Sequence, residues 1–320
     1  MRFLTFDELS PSMDADRLLV HLSALGGAAD RRAVARWRRR SDLYADYVGV
    51  FAVDAGRVVG QTLVKRLTYH FPDGPQRIGA IASVGTRPDR SRTGVARRLL
   101  EEVHRRERAA GMDFVALWTN RSWGAHRLYE QLGYEDTYAY PWAVRRPGPR
   151  RGPRRNRAIS PARPRELGAL DRLHDRLAEG RIGFCQRPRR FLPTAAANRE
   201  VDPASELLVA RDAGTVVGYA LVHTTGSRTI CGELVAETEA ARTAIVRSVE
   251  ARAGRNAVAF QHTPVTDARE LLRRRGYAFL DTGWYVFMTH ALRGPWNARA
   301  ARATFRPDDP RFLCCAGDRF

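Results

Sequence analysis

The chain has 320 residues, 44% of them hydrophobic, which is enough for packed cores in two domains of ordinary size. Its 54 basic and 35 acidic residues leave a formal net charge of +19, carried almost wholly by arginine because Lys65 is the only lysine. No apolar run approaches the ~20 residues of a membrane span, and the early acids of MRFLTFDELSPSMDADRLL are unlike a signal peptide. The four cysteines (Cys185, Cys231, Cys314, Cys315) are too few and too scattered for a disulfide framework, and Cys314–Cys315 lacks the spacing of a zinc pair. A cytoplasmic protein with reduced thiols, no metal and no membrane partner is expected.

In chain order, residues 49–70 (GVFAVDAGRVVGQTLVKRLTYH) read as strand, Asp-Ala-Gly turn, strand, which is a hairpin signal. A short apolar strand follows at 78–86 and stops before Pro88, which cannot donate to a sheet ladder. Gly94 then frees the backbone where a helix begins at Val95 and runs on as VARRLLEEVHRRERAAG. A loop entering a helix presents unpaired N–H groups and the positive end of the helix dipole, so it favours an anion. Arg90, Arg92 and Arg97 crowd the same spot, and the segment reads as a pyrophosphate cradle, or else an ordinary strand–helix connection. MDFVALWTN (112–120) is the next strand, and SWGAHRLYEQLGY is a helix that ends at Gly133.

Residues 145–165 (RRPGPRRGPRRNRAISPARPR) contain no acid. They read either as a stiff solvated linker or as a basic clamp for phosphates. Further basic clusters occur at Arg36-Trp37-Arg38-Arg39-Arg40, Arg187 to Arg190 and Arg273 to Arg275.

The hairpin then recurs. Residues 206–223 (ELLVARDAGTVVGYALVH) repeat the first Asp-Ala-Gly unit, and LLRRRGYAFLDT at 271–282 aligns with LYEQLGYEDT at 128–137 on Gly276 and Gly133. Between them lie TICGELVAE, EAARTAIVRSVEARAG, AVAFQHT and VTDARELLRRRG, again strand, helix, strand, helix. The chain therefore divides into lobes at 1–145 and 166–292, a linker at 146–165 and a tail at 293–320. The second lobe has no glycine at its strand-to-helix turn. Three glutamates (Glu233, Glu237, Glu239) lie there, which should repel a pyrophosphate, and Leu272 aligns with Tyr129. That lobe is expected to keep the scaffold without the reaction.

The two blocks of the first lobe resemble the Gcn5-related N-acetyltransferase (GNAT) superfamily. Gly94 and Ala96 match its Arg/Gln-x-x-Gly-x-Gly/Ala signature, with Pro88 six residues upstream and Ser91 at the first position. Ala125, Tyr129, Gly133 and Tyr134 match its second pattern, with Ser122 where Asn is usual and Asn120 two positions earlier. The resemblance implies an α/β fold of two tandem lobes, each a twisted mixed sheet flanked by helices, the second degenerate. It implies acetyl-CoA or another acyl-CoA as co-substrate. Its pantetheine arm would meet the backbone of Ser83, Val84, Gly85 and Thr86. Its pyrophosphate would meet Arg90, Arg92, Thr93, Gly94, Val95, Ala96 and Arg97, with Asn120 and Ser122 nearby.

Tyr129 matches the tyrosine that protonates the leaving sulfur in many members, and a phenol of pKa about 10 suits that acid role. The alternative for Tyr129 is a packed helix tyrosine. No general base stands out. Asp73, His70 and His126 are candidates, each equally readable as a turn or surface residue. The chain also resembles, loosely, the two-lobed aminoglycoside acetyltransferases of the enhanced-intracellular-survival type, which use their C-terminal carboxylate as base. That likeness implies the Phe320 carboxylate for the role here.

The leading expectation is an N-acyltransferase acting on a primary amine of a small molecule bound between the lobes. A surface this basic argues against a polycationic acceptor. A second reading is an aminoacyl-tRNA-dependent transferase of the same fold, its arginines holding tRNA or another polyanion. A third is a non-catalytic binding protein.

Overall fold

Both Asp-Ala-Gly motifs fold as tight reversals. Ala55 and Gly56 have φ of 47° and 77°, and Ala213 and Gly214 have 45° and 84°. These are the left-handed pairs of a two-residue hairpin turn, so the repeat seen in the sequence is a repeat of backbone conformation. The protein is described by a computed structural model that covers residues 1–25, 35, 47–146, 159–198, 200–280, 283–294, 296 and 298–314.

In chain order the elements begin with β1 (Arg2–Leu4), α1 (Pro11–Leu25), β2 (Tyr47–Asp54), β3 (Arg57–Phe71) and β4 (Gly74–Thr86). Next come α2 (Val95–Ala109), β5 (Phe114–Asn120), α3 (Gly124–Gln131), β6 (Glu135–Ala139), β7 (Trp142–Arg145) and β8 (Ile159–Pro161). Then follow α4 (Leu167–Ala178), α5 (Phe191–Ala197), α6 (Pro203–Glu206), β9 (Leu207–Asp212), β10 (Thr215–Thr225) and β11 (Arg228–Ala236). The chain continues through α7 (Glu239–Ala253), β12 (Ala257–Gln261), α8 (Thr263–Asp267), α9 (Arg269–Arg274), β13 (Ala278–Leu280), β14 (Tyr285–Ala291) and α10 (Ala298–Thr304).

Two mixed sheets of seven strands result, ordered β1-β2-β3-β4-β5-β14-β6 and β13-β7-β12-β11-β10-β9-β8. The units around them do not follow the chain halves that the repeat suggested. One comprises Met1–Tyr138 and Trp284–Thr304, the other Ala139–Gly283 and Phe305–Arg319. Strand β14, from late in the sequence, fills the place between β5 and β6, pairing Phe287 with Trp118 and Met288 with Leu117. Strand β7, directly after the first lobe, pairs instead with β12 and β13 of the second sheet. The physical reason is burial. Val286, Phe287 and Met288 are all fully buried, as a strand covered on both faces requires.

In the first unit α1 covers one face of the sheet, with Val20 packed among Phe6, Phe51 and Leu63. In the second, α4 and α5 bury Leu170, Leu173 and Leu192 against Val209, Tyr219 and Val235. Its other face packs Ile245, Val246 and Val249 of α7 onto Ala220, Cys231 and Phe260. Gly60 and Gly218 hold equivalent places in the repeat. A side chain on Gly60 would meet Val95 at 2.7 Å, and one on Gly218 would meet Ile245 at 3.0 Å. Each glycine therefore lets a helix seat closely on its hairpin.

Candidate active site

The site begins where two neighbouring strands part. β4 and β5 run parallel and pair from Ile78↔Phe114 to Ile81↔Leu117, and no further. β4 nevertheless continues to Thr86 alongside β3, and β5 continues to Asn120 alongside β14. Ala82 to Thr86 and Trp118 to Asn120 thus border a V-shaped opening with backbone groups not used in a β4–β5 ladder. Between the pairs Leu63↔Ala82 and Gln61↔Gly85, β4 carries a bulge at Ser83 and Val84, with Ser83 at φ 54°. A bulge re-aims main-chain groups. Val84, Gly85 and Thr86, the expected pantetheine contacts, all lie on this free border. Gly85 is small for a reason: a Cβ there would meet Ala24 of α1 at 3.0 Å.

At the end of β4 a short helical turn (Pro88–Arg90) leads into α2. Arg92 and Gly94 have φ of 60° and 81°, and Gly94 is the N-cap of α2 with no side-chain capping bond. The amides of Val95, Ala96 and Arg97 are first-turn groups with no intrahelical acceptor. The start of α2 thus leaves first-turn amides open, a geometry that suits an anion. Its side chains are less free than the sequence suggested. Arg90 pairs with Asp54 at 3.0 Å, and Arg97 donates to Gln131 Oε1 at 2.9 Å. Thr93 Oγ1 donates to the Arg90 carbonyl. Arg92 alone of these three arginines has no side-chain partner among the described residues.

After β5, Asn120 Oδ1 accepts from both the backbone N–H and the hydroxyl of Ser122, at 2.9 and 2.7 Å. The Asn120–Ser122 pair thus forms one locked turn in front of α3. Tyr129 lies in the second turn of α3 and is 6% exposed. Burial raises its hydroxyl pKa to about 12. No described residue bonds that hydroxyl. Past the helix, Tyr134 N–H donates to the Tyr129 carbonyl at 3.0 Å, and the Tyr134 hydroxyl bonds His104 Nε2 at 2.8 Å. His104 stacks on His290 of β14 at 4.5 Å, and His290 Nδ1 bonds the Gly133 carbonyl at 3.0 Å. Burial, then His290 and Arg108, hold the His104 pKa down to about 3, so its ring is neutral. A box of His104, Tyr134 and His290 therefore fixes the end of the helix that carries Tyr129. His290 was invisible to sequence reasoning because its strand lies more than 150 residues from α3.

The second unit has the same parting of strands, with β11 and β12 pairing only to Cys231↔Phe260. Its surroundings differ. The expected repulsion by three glutamates is corrected, because each is neutralised by an arginine. Glu237 pairs with Arg176 and Glu239 with Arg242, both at 2.6 Å. Glu233, 2% exposed, takes both Arg187 nitrogens at 2.9 and 2.7 Å and accepts from the Tyr219 hydroxyl. Burial alone would raise the Glu233 pKa, but the Arg187 charge and these bonds hold it down to about 2. What closes this helix start to an anion is Thr238, whose Oγ1 accepts from Ala241 N–H at 3.1 Å. That occupies a first-turn amide that the Gly94 cap leaves open. Leu272, aligned with Tyr129, is fully buried.

Among the base candidates, His126 bonds Asp136 at 2.9 Å, and Asp136 also pairs with Arg121. His70 and Asp73 flank the β3–β4 turn. Phe320, Cys315, the Arg36-to-Arg40 cluster and the connector at 147–158 lie outside the described residues. In the other basic clusters Arg187, Arg273 and Arg275 are ion-paired to Glu233, Glu270 and Glu250. Cys185, Cys231 and Cys314 are free and buried. Among the described residues no helix is long and apolar enough to cross a membrane.

Residues 20–137 match the family model described as acetyltransferase (GNAT) domain. No curated protein sequence matches the chain. Among solved structures it is similar to a GCN5-related N-acetyltransferase from Kribbella flavida, at 20% identity and TM-score 0.61, covering 91% of this chain and 72% of that one. It is similar to a probable N-acyltransferase from Enterococcus faecalis V583, at 11% identity and TM-score 0.66, with 91% and 73% covered. It is also similar to Eis1 from Mycobacterium abscessus, at 18% identity and TM-score 0.58, with 91% and 74% covered. These likenesses show a shared fold. Residues 20–137 of the chain are thus matched as a GNAT acetyltransferase domain.

Proposed function

We propose that the first unit transfers an acetyl or other acyl group from acyl-CoA to a primary amine of a small molecule. The observation that carries this reading is the uncapped start of α2 at the mouth of the β4–β5 opening, in the unit that also holds Tyr129. The amides of Val95, Ala96 and Arg97 would hold the pyrophosphate, with the Arg92 side chain beside them. The free backbone of Val84, Gly85 and Thr86 would hold the pantetheine arm, and the Asn120 carboxamide would offer its N–H groups. Tyr129, kept protonated by burial, would give its proton to the departing thiolate.

The second unit supports the reading by contrast, because a threonine cap occupies its helix start and a leucine replaces the acid. The pairing of Arg187, Arg273 and Arg275 with carboxylates takes weight from a polyanion as acyl carrier. The test incubates the protein with acetyl-CoA and a panel of amino sugars, amino-acid amines and polyamines while following thiol release. Amine-dependent release together with saturable CoA binding is expected. Retention of bulk tRNA without CoA binding would instead favour the tRNA-dependent reading.

A further inference from the structure

Helix α1 crosses the free border of β4. A side chain on Gly85 would meet Ala24 at 3.0 Å and Val20 at 3.6 Å, so the turn of α1 that carries His21 lies against the residue that follows the bulge. Gln61 of β3, the partner of Gly85 in the ladder, joins the two elements. Its Nε2 donates to the Ser83 carbonyl at 3.4 Å and lies 2.8 Å from His21 Nδ1. One amide thus ties His21 to the border where β4 and β5 part.

Two atoms in this series lack a hydrogen-bond partner among the described residues. Gln61 is fully buried, and its Oε1 bonds nothing. His21 is half-buried, and its Nε2 also bonds nothing, but that nitrogen is not sealed in the interior. An unmet buried acceptor costs stability, and the place of Oε1 beside His21 Nδ1 gives it a use. The bond made by one ring nitrogen of a histidine fixes where the proton sits. A turn of the Gln61 amide sets Oε1 against Nδ1–H and leaves Nε2 as a bare lone pair. The bond given up, to Ser83 at 3.4 Å, is a long one, so the turn costs little. Burial, then the Arg17 charge, hold the His21 pKa below its ordinary value, so the ring is neutral at pH 7. Arg17 itself is bonded to Asp14 at 2.9 Å. The other charged groups on α1 and the neighbouring face of β3 are Asp16 and Arg57, paired at 2.6 Å, and Lys65 further along the strand.

We propose that His21 is the general base of the reaction and that Gln61 is its positioning residue. The inference rests on the reading that the first unit transfers an acyl group to an amine at the β4–β5 opening. There the amine lone pair forms the new C–N bond, and the nitrogen, now positively charged, sheds its proton readily. That proton passes to His21 Nε2, directly or through one water. The C–S bond then breaks, and the thiolate takes the Tyr129 proton. Solvent afterwards removes the proton from His21 and restores that of Tyr129.

The test measures the pH dependence of kcat for amine-dependent thiol release, and CoA affinity, in the wild type, H21A, H21Q and Q61L. Wild-type kcat should rise with pH along a limb centred below 6.5, the ordinary histidine value. H21A should lose that limb and about 100-fold in kcat at pH 7, with CoA affinity within about 2-fold, and added imidazole should restore part of the rate. H21Q should behave like H21A without imidazole, which keeps the test valid if the alanine variant fails to fold. Q61L should keep the limb and lose about 10-fold in kcat, as a misplaced base would. A folded H21A or H21Q that binds CoA and retains the limb overturns the role of His21, whether or not its rate has fallen. CoA binding without amine-dependent release in the wild type overturns the acyl-transfer reading and this inference with it.

Discussion

Tyr129 carries the proposed chemistry, and its surroundings dictate how it must behave. Burial alone shifts its hydroxyl, to about 12, so the acid form persists far into the alkaline range. An acid stops working only as pH rises through its own pKa. The kcat profile should therefore show no falling limb from this group between about pH 8 and pH 11. Y129F should lower kcat about 100-fold or more, the usual contribution of a positioned acid. A wild-type rate in that variant, measured by thiol release, would remove Tyr129 from the mechanism. A second residue-scale case is Asp171 of α4. Its Oδ1 accepts from Leu192 N–H at 3.1 Å, while its Oδ2 has no hydrogen-bond partner among the described residues. Burial pushes its pKa up to about 6, partly opposed by the Leu192 bond and the Arg187 charge. The folded pKa lies above the unfolded value of about 3.9. The unfolded chain therefore releases this proton first, and stability is lost as pH rises from about 4 through 6. D171N keeps the acceptor oxygen and cannot ionise. It should gain about 1 kcal/mol at neutral pH after allowance for solvent screening, and nothing at pH 4, as read from melting curves at the two pH values.

At the scale of elements, the function of α2 lies in how it starts. Gly94 has φ 81°, where an alanine costs about 1 kcal/mol, so G94A should turn the first-turn amides away from their common focus. CoA should then bind about 5- to 10-fold more weakly, with kcat at saturation little changed, because Tyr129 sits on a different helix. Titration of CoA into both proteins measures this directly, and equal affinities would show that the Gly94 turn does not hold the ligand. This start was legible in the sequence because its signals are local: a proline ends the strand and a glycine precedes the amphipathic run. The hairpins were legible for the same reason, since Asp-Ala-Gly specifies its own turn. The second-unit glutamates were misread because their meaning is not local. Glu233 is 46 residues from Arg187, and nothing near either residue in the chain announces the pair. Only family likeness pointed to the backbone of Ser83 to Thr86, because nothing in the sequence shows where the β4–β5 ladder stops.

At the scale of the whole molecule, the least legible feature is the strand exchange, and it has the largest consequence. The lobe boundaries drawn from the repeat place 142–145 with the first lobe and 285–291 with the second, as adjacency in sequence suggests. Folding does the reverse, because the slot between β5 and β6 needs a strand that is apolar on both faces. Val286, Phe287 and Met288 supply this, whereas Trp142-Ala143-Val144-Arg145 has one fully buried residue, Ala143. Losing β14 would uncover Leu117 and Val115 and remove three buried side chains, each worth about 1.5–3 kcal/mol. That is comparable with the net stability of a domain. It would also remove His290, which braces the Tyr129 helix. A fragment of residues 1–145 should therefore fail to fold when expressed alone, despite containing the whole of the matched acetyltransferase domain, and so should 146–320, which lacks β7. Co-expressed, the two fragments should recover a soluble complex with native-like circular dichroism and CoA binding, because each carries the strand the other is missing. If 1–145 alone proved soluble, cooperatively folded and able to bind CoA, the exchanged strand would be dispensable, and the Tyr129 site would be complete within the first part of the chain.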